Sequence, residues 1–236
     1  KGTLAIEKEV SGTLTTLEIG GTLTEAFIGT DRGESDETGL RATGGTFGVV
    51  ILKDSAQTDS KIAAKGTLSG LSLEGVPDVT LTATSISVEV NKTGVDLDGV
   101  SVATGATPID MTFTNGNELI RASGAIELEV AGFVYAKGTL AFEKEVSGTL
   151  TTLKVGGTLT EAFIGSERGE TDQVGLKATG GTFGVVILKD STETASKIAA
   201  KGTLSGLSLE GVPDVTLTAT SISVEVNKTG VDLDGV

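Results

Sequence analysis

The chain has 236 residues, 32 of them acidic and 18 basic, for a net charge of −14, and it contains neither Cys nor His. Those two absences exclude disulfides, thiolate and imidazole zinc sites, Ser-His-Asp and Cys-His nucleophiles, and histidine pH sensing. The negative charge is spread along the chain, so phosphate backbones and anionic lipid surfaces would be repelled, and neither nucleic acid nor a membrane surface is an expected partner.

Hydrophobic residues make up 38% of the chain but aromatics only 3%, so a core must be filled by Val, Ile, Leu, Ala and Thr, the set that suits pleated sheet. There are 34 Gly and 3 Pro with no three-residue glycine period, which points to frequent tight turns or bulges and away from collagen. The longest apolar run, Phe47 to Leu52, is far short of a membrane span, and no membrane insertion is expected.

An internal repeat organises everything else. Residues 60–100 return letter for letter at 196–236, and the same offset of 136 residues pairs 1–100 with 137–236 with twelve differences. Residues 1–100 thus read as the C-terminal part of one 136-residue repeat and 101–236 as one full period. No Pro/Ser-rich joint separates them. A chain that opens at Lys1 inside a repeat is read as part of a longer array.

In chain order, residues 1–29 alternate apolar and polar positions between Gly12, Gly20 and Gly21, as half-buried strands do. Gly-Thr-Leu recurs at Gly2, Gly12 and Gly21, and Lys-Gly-Thr-Leu at Lys1, Lys65, Lys137 and Lys201, which suggests two diverged halves within each repeat. Residues 30–39 are the most polar segment, predict a loop, and hold five of the twelve differences. Residues 46–53 are apolar on both parities and predict a central strand covered on both faces. The apolar parity switches between Ala83 and Ile86, which predicts a bulge. Hairpin turns are predicted at 91–94, between 86–90 and 95–97, and at Asn115-Gly116, between 111–114 and 118–121.

These signals predict an all-β fold, an elongated continuous repeat array of solenoid-like coils or stacked long hairpins, with tandem β-sandwich domains as the alternative. Neighbouring repeats would protect one another's strand edges, and self-association is the partner expectation where edges stay open.

Candidate sites are few. Asp31, Glu34 and Asp36, with Glu37, put four carboxylates within seven residues, a donor set that suits calcium. Asp96 and Asp98, repeated as Asp232 and Asp234, form a second carboxylate pair, with alternation placing Val95 and Leu97 inward and the aspartates outward. Asn91-Lys92-Thr93 and Asn227-Lys228-Thr229 satisfy the N-glycosylation pattern on an expected turn. The run Thr80-Leu81-Thr82-Ala83-Thr84 offers a hydroxyl-methyl face. Carboxylates are plentiful, but no aromatics are available to line a sugar cleft, and the chain reads as non-catalytic.

The segments VTLTATSISVEVNKTGVDLDGV and ASGAIELEVAGFVYAKGTLAFEKEVSGTL resemble the long tandem repeats of giant bacterial extracellular and surface proteins of the adhesin type. The resemblance covers the whole chain and is one of composition and copy uniformity, without a signature motif. It implies an exported, elongated, multi-copy stalk or filament stiffened by calcium, with any recognition domain elsewhere. It carries over no binding residues.

Overall fold

The computed structural model describes residues 1–114 and 116–230. Among these are thirteen strands and no helix: β1 (Gly2–Ser11), β2 (Leu14–Thr30), β3 (Thr38–Asp54), β4 (Ser60–Glu74), β5 (Val79–Lys92), β6 (Ser101–Val102), β7 (Ile109–Asp110), β8 (Glu118–Val130), β9 (Val134–Ser147), β10 (Leu150–Ser166), β11 (Val174–Asp190), β12 (Lys197–Glu210) and β13 (Thr218–Asn227). Eleven of them form one open antiparallel sheet in the order β1-β2-β3-β4-β5-β8-β9-β10-β11-β12-β13, each strand beside its neighbour in sequence. The all-β expectation holds. The second sheet is only the β6–β7 pair.

Register comes from the Gly-Thr-Leu triplets. Thr3, Thr22, Thr46 and Thr67 stand directly opposite one another on β1 to β4, and Thr139, Thr158, Thr182 and Thr203 do so on β9 to β12. Because the strands are antiparallel, the residue before each Thr faces the residue after the next: Gly21 lies opposite Leu4 and Phe47, and Gly157 opposite Leu140 and Phe183. A Cβ on Gly21 would fall 2.3 Å from the Thr3 carbonyl oxygen and 2.9 Å from the Phe47 ring. The triplet is therefore a mark carried by successive strands, and its recurrence at Lys1 and Lys65 reflects sheet register. Gly12 and Gly148 do something else: with φ of 63° and 59° they turn the tight hairpins β1–β2 and β9–β10.

The predicted bulge is present. Ser85 has φ 53°, and the β5–β8 register shifts between Thr84 and Ser87. Gly44 (56°), Gly180 (59°) and Ser221 (55°) make the same kink on β3, β11 and β13. One line of kinks thus crosses each copy.

Between the tight hairpins and that line, the sheet has two unlike faces. On one, the cross-strand rows Leu4–Gly21–Phe47–Gly66–Val88 and Ile6–Ile19–Val49–Ala64–Val90 are apolar throughout, and equivalent rows continue through β8 to β13. Much of this face is open: Ile6 and Leu4 are each 64% exposed, and Phe183, Val88 and Val224 are exposed as well. The other face is covered over β1 to β5 by the excursion at residues 93–114, which we call the cap.

In the cap, β6 pairs with β7, the Met111 amide donates to the Val100 carbonyl at 2.8 Å, and Leu97 and Phe113 exchange backbone hydrogen bonds at 2.9 and 2.8 Å. The core sits beneath it, where Leu97, Val102, Met111 and Phe113 pack on Val50 of β3 and Ala63 of β4, with Leu52, Val100, Ile109 and Leu119 at the rim. Lys65 places its amine 4.9 Å from the centre of the Phe113 ring.

The two predicted hairpins at this excursion do not form. β5 runs on to Lys92, the chain then leaves the sheet, and Leu97 pairs with Phe113 instead of with 86–90. Residues 111–113 likewise pair with 97–100 and not with 118–121. Asn115 lies outside the described residues, while Gly116 has φ 58°, a conformation that favours glycine. The 46–53 strand also differs from expectation. It is third of eleven rather than central, with Val50 fully buried on the cap face and Phe47, Val49 and Ile51 half-buried on the other.

Met111→Ala removes a fully buried side chain and is expected to lower the unfolding free energy by about 2–5 kcal/mol in chemical denaturation. Val50→Ala should cost more than Val186→Ala, its half-buried equivalent in the second copy, over which no described residue folds as a cap. Equal losses at the two positions would mean that the cap adds no packing energy.

Candidate functional site

The acidic loop between β2 and β3 is held together by two arginines. Arg41, on β3, forms ion pairs with Glu25 and Glu37 and reaches Glu74 at 3.7 Å, and Arg32 bonds Glu25 at 3.1 Å. The Gly33 amide donates to Glu37 Oε2 at 2.6 Å. That bond first, and then Arg41, holds the Glu37 carboxyl below its ordinary pKa. Asp31, Glu34 and Asp36 are exposed, and Asp31 (φ 55°) accepts the Glu34 amide in a turn. Among the described residues no three acidic side chains gather as a group that could hold a metal ion.

Copy two shows which of these contacts matters. Gln173 replaces Glu37 and still accepts the Gly169 amide at 2.7 Å, so the turn requires an acceptor and not a charge. Lys177 replaces Arg41 at the same time, and the ion pair is lost from both sides together. Arg168, the counterpart of Arg32, keeps the equivalent pair with Glu161 at 3.4 Å and adds a stack 3.3 Å over the Tyr135 ring. The loop can do the work of electrostatic bracing: the Arg32–Glu25 pair is kept as Arg168–Glu161, while the Arg41–Glu37 pair is lost and Arg168 gains Tyr135.

Asp96 and Asp98 are exposed on the cap, on either side of buried Leu97, as alternation requires; Val95 is 41% exposed where an inward position was expected. Asp232 and Asp234 lie outside the described residues. The sequon reading fails at Asn91, which is 1% exposed beneath the cap. Its Nδ2 donates to the Asn117 carbonyl at 3.3 Å, and its Oδ1 accepts both the amide and the hydroxyl of Thr93, at 3.1 and 2.7 Å. Asn91 is a buried brace where the chain leaves the sheet. Asn227 makes the same two contacts with Thr229, at 2.9 and 2.6 Å.

Thr80 and Thr82 face Glu129 and Glu127 on the neighbouring strand, so the 80–84 run makes no hydroxyl face. The ordered threonines are the register ranks, and their hydroxyls bond each other: Thr3 with Thr22 at 2.6 Å, Thr46 with Thr67 at 3.1 Å, Thr139 with Thr158 at 2.8 Å and Thr182 with Thr203 at 2.9 Å. Reading Gly-Thr-Leu as one mark per strand would have revealed these ranks in the sequence.

Beside the cap, on the same face, runs a row of alternating charge: Lys65, Glu89, Arg121, Glu143 and Lys154 are successive cross-strand partners on β4, β5, β8, β9 and β10. Their contacts are 3.8, 3.1, 2.8 and 3.4 Å. Pairs this accessible contribute only about 0–1 kcal/mol each. The row does discriminate register, because a one-residue slip breaks its pairs, setting Lys65 opposite Val88 or Val90 and Glu89 opposite Ile120 or Ala122. It lies across the join between the copies. In comparisons with known proteins, no family model, no curated protein and no solved structure matches the chain.

Glu37→Gln is expected to lower stability at pH 7 by removing the partner of Arg41. Because the folded carboxyl has a lowered pKa, its contribution is complete above the unfolded value of about 4.3 and is lost as pH falls through the folded value. The difference in melting temperature between wild type and variant should therefore close in acid. A difference that stayed constant down to about pH 2 would place the effect in packing instead.

Proposed function

We propose that the chain is a non-catalytic structural segment of an extracellular surface protein of the adhesin type, in which each repeat adds a fixed width of β-sheet. The observation that carries this reading is the join. β8, the first long strand of the period 101–236, pairs along its length with β5 of the preceding copy and with β9 of its own, so the strand ladder runs through the join although the chain between β5 and β8 detours through the cap. Repeats joined in this way are one sheet and not beads on a string. The mutual bonding of the threonine ranks and the pairing of Glu37 with Arg41 also support a framework role, since these polar groups are already engaged within the chain.

A second reading, self-association into a filament, draws on a different observation. Among the described residues β1 and β13 each have one edge without a partner strand in this sheet, and the apolar face is open at Leu4, Ile6, Phe183 and Val224. Both are features that proteins usually cover. Its test is sedimentation across a wide concentration range, where a strict monomer would refute it.

The spacer reading is tested by small-angle scattering of arrays with successive copies of 101–236 appended. Each copy brings six long strands, so the maximum dimension should rise by about 29 Å per copy at about 4.8 Å per strand, with a constant cross-section. A radius of gyration rising only as about the 0.38 power of chain length, as for a compact globule, would refute it.

A further inference from the structure

The residues on which the cap sits occur twice. Gly20, Gly48, Val50, Ala63 and Lys65 lie under it, and Gly156, Gly184, Val186, Ala199 and Lys201 repeat them in the same cross-strand rows. The environments differ. Gly20, Gly48, Val50 and Ala63 are buried, whereas their counterparts are half-buried, and Asn227, counterpart of buried Asn91, is exposed.

The glycines make the difference concrete. A Cβ on Gly20 would fall 2.2 Å from the Ala103 carbonyl oxygen and 2.7 Å from Val102 Cγ1, and one on Gly48 would fall 3.3 Å from Val102 Cβ. A Cβ on Gly184 would meet nothing within 4 Å. In the first copy these glycines admit a backbone laid across the sheet. In the second they border an open cavity of about 520 Å³, lined also by Arg121, Glu143, Lys154 and Val186, with Lys154 paired to Glu143 at 3.4 Å.

The one charge change near this groove favours the same occupant. Residues 95–114 carry Asp96, Asp98 and Asp110 and no cation. In the covered copy Val102 and Ala103 lie against Glu7 and Glu18. Burial, and then the charges of Glu7 and Glu9, push the Glu18 carboxyl above its ordinary pKa. In the second copy Lys154 stands at the Glu18 position, so an acidic segment would meet a cation there.

We propose that the groove over Gly156, Gly184, Val186 and Ala199 is a docking site for a segment of the cap sequence 95–114 supplied by a further copy of the repeat. That segment would seat its Val102 and Met111 counterparts on the two glycines and on Val186. The inference rests on the internal repeat and not on the spacer reading, since an array could lengthen through its strands whether or not this groove is filled.

The chain has no Cys, so Val186→Cys introduces a single thiol in the open groove and Val50→Cys a matched one under the cap. Maleimide labelling is expected to be at least about tenfold faster at position 186 than at position 50. A synthetic peptide of residues 92–117 should slow labelling at 186 about tenfold or more and saturably, and the same peptide with Val102→Asp and Met111→Asp should not. Because a free peptide must be ordered on binding, the second measurement fuses residues 101–117 after Val236, where protection at 186 is expected without added peptide. Protection in either form supports the proposal. It is overturned by no protection in both forms, by equal protection from the doubly substituted peptide, or by protection that instead rises with concentration of the unfused chain, which would make whole-chain association the occupant.

Discussion

The antiparallel backbone ladder, locked in register by Gly-Thr-Leu and Gly-Thr-Phe triplets, is the constraint from which the rest of this structure follows. A strand that slipped by one residue would send its threonines to the apolar face and its Leu or Phe to the polar one. It would also set side chains where Gly21 and Gly157 now allow close approach to the Thr3 and Thr139 carbonyl oxygens. Hydroxyl bonding within each rank and alternating charge in the row from Lys65 to Lys154 favour the same register. Three weak devices agree, and agreement is what makes a long, glycine-rich sheet specific.

A single sheet has two faces to satisfy, and this chain treats them unequally. The 93–114 excursion covers five strands on one side and completes, with Val50 and Ala63, the cluster of buried apolar side chains found among the described residues. It needs glycines beneath it because a hairpin laid across a sheet brings backbone close to backbone. Asn91 and Thr93 then satisfy the polar groups at the point of departure, so the turn away from the sheet leaves no unpaired buried side chain there. The stability of the first copy is concentrated in that contact, while the apolar rows on the reverse face remain largely open to solvent.

Much of this was legible in the sequence. Alternation, β-branched composition and glycine punctuation gave the all-β class, the switch of parity gave the bulge at Ser85, and the exact recurrence gave the period. The cap was not legible, because 95–97 and 109–113 have the same alternation as any other short strand, and nothing local says whether such a strand continues the sheet or folds over it. The distinguishing signal lies far away in sequence, in the absence of side chains at Gly20 and Gly48. The sequon at Asn91 fails for a related reason: a polar side chain at a predicted turn is expected to be accessible, but burial depends on what folds over the turn. In the acidic loop only Glu37 of the four carboxylates is engaged by an arginine, and a count of nearby acids cannot tell it from the exposed Asp31, Glu34 and Asp36.

The differences between copies follow contacts in the fold. Ile6 and Ile19 are cross-strand partners, and copy two has Phe142 and Val155 in their places, one larger and one smaller, with pair volume roughly kept. Glu37 and Arg41 change together as ion-pair partners do. The strand count follows the same logic. In an antiparallel meander, neighbouring strands alternate in direction, so a repeat of identical sequence related by simple translation must contain an even number of long strands. From β8 to β13 there are six. Each copy therefore enters the sheet in the orientation of the last, with its glycine groove on the face that carries the cap, and an array built this way can change length by whole periods without turning either face over.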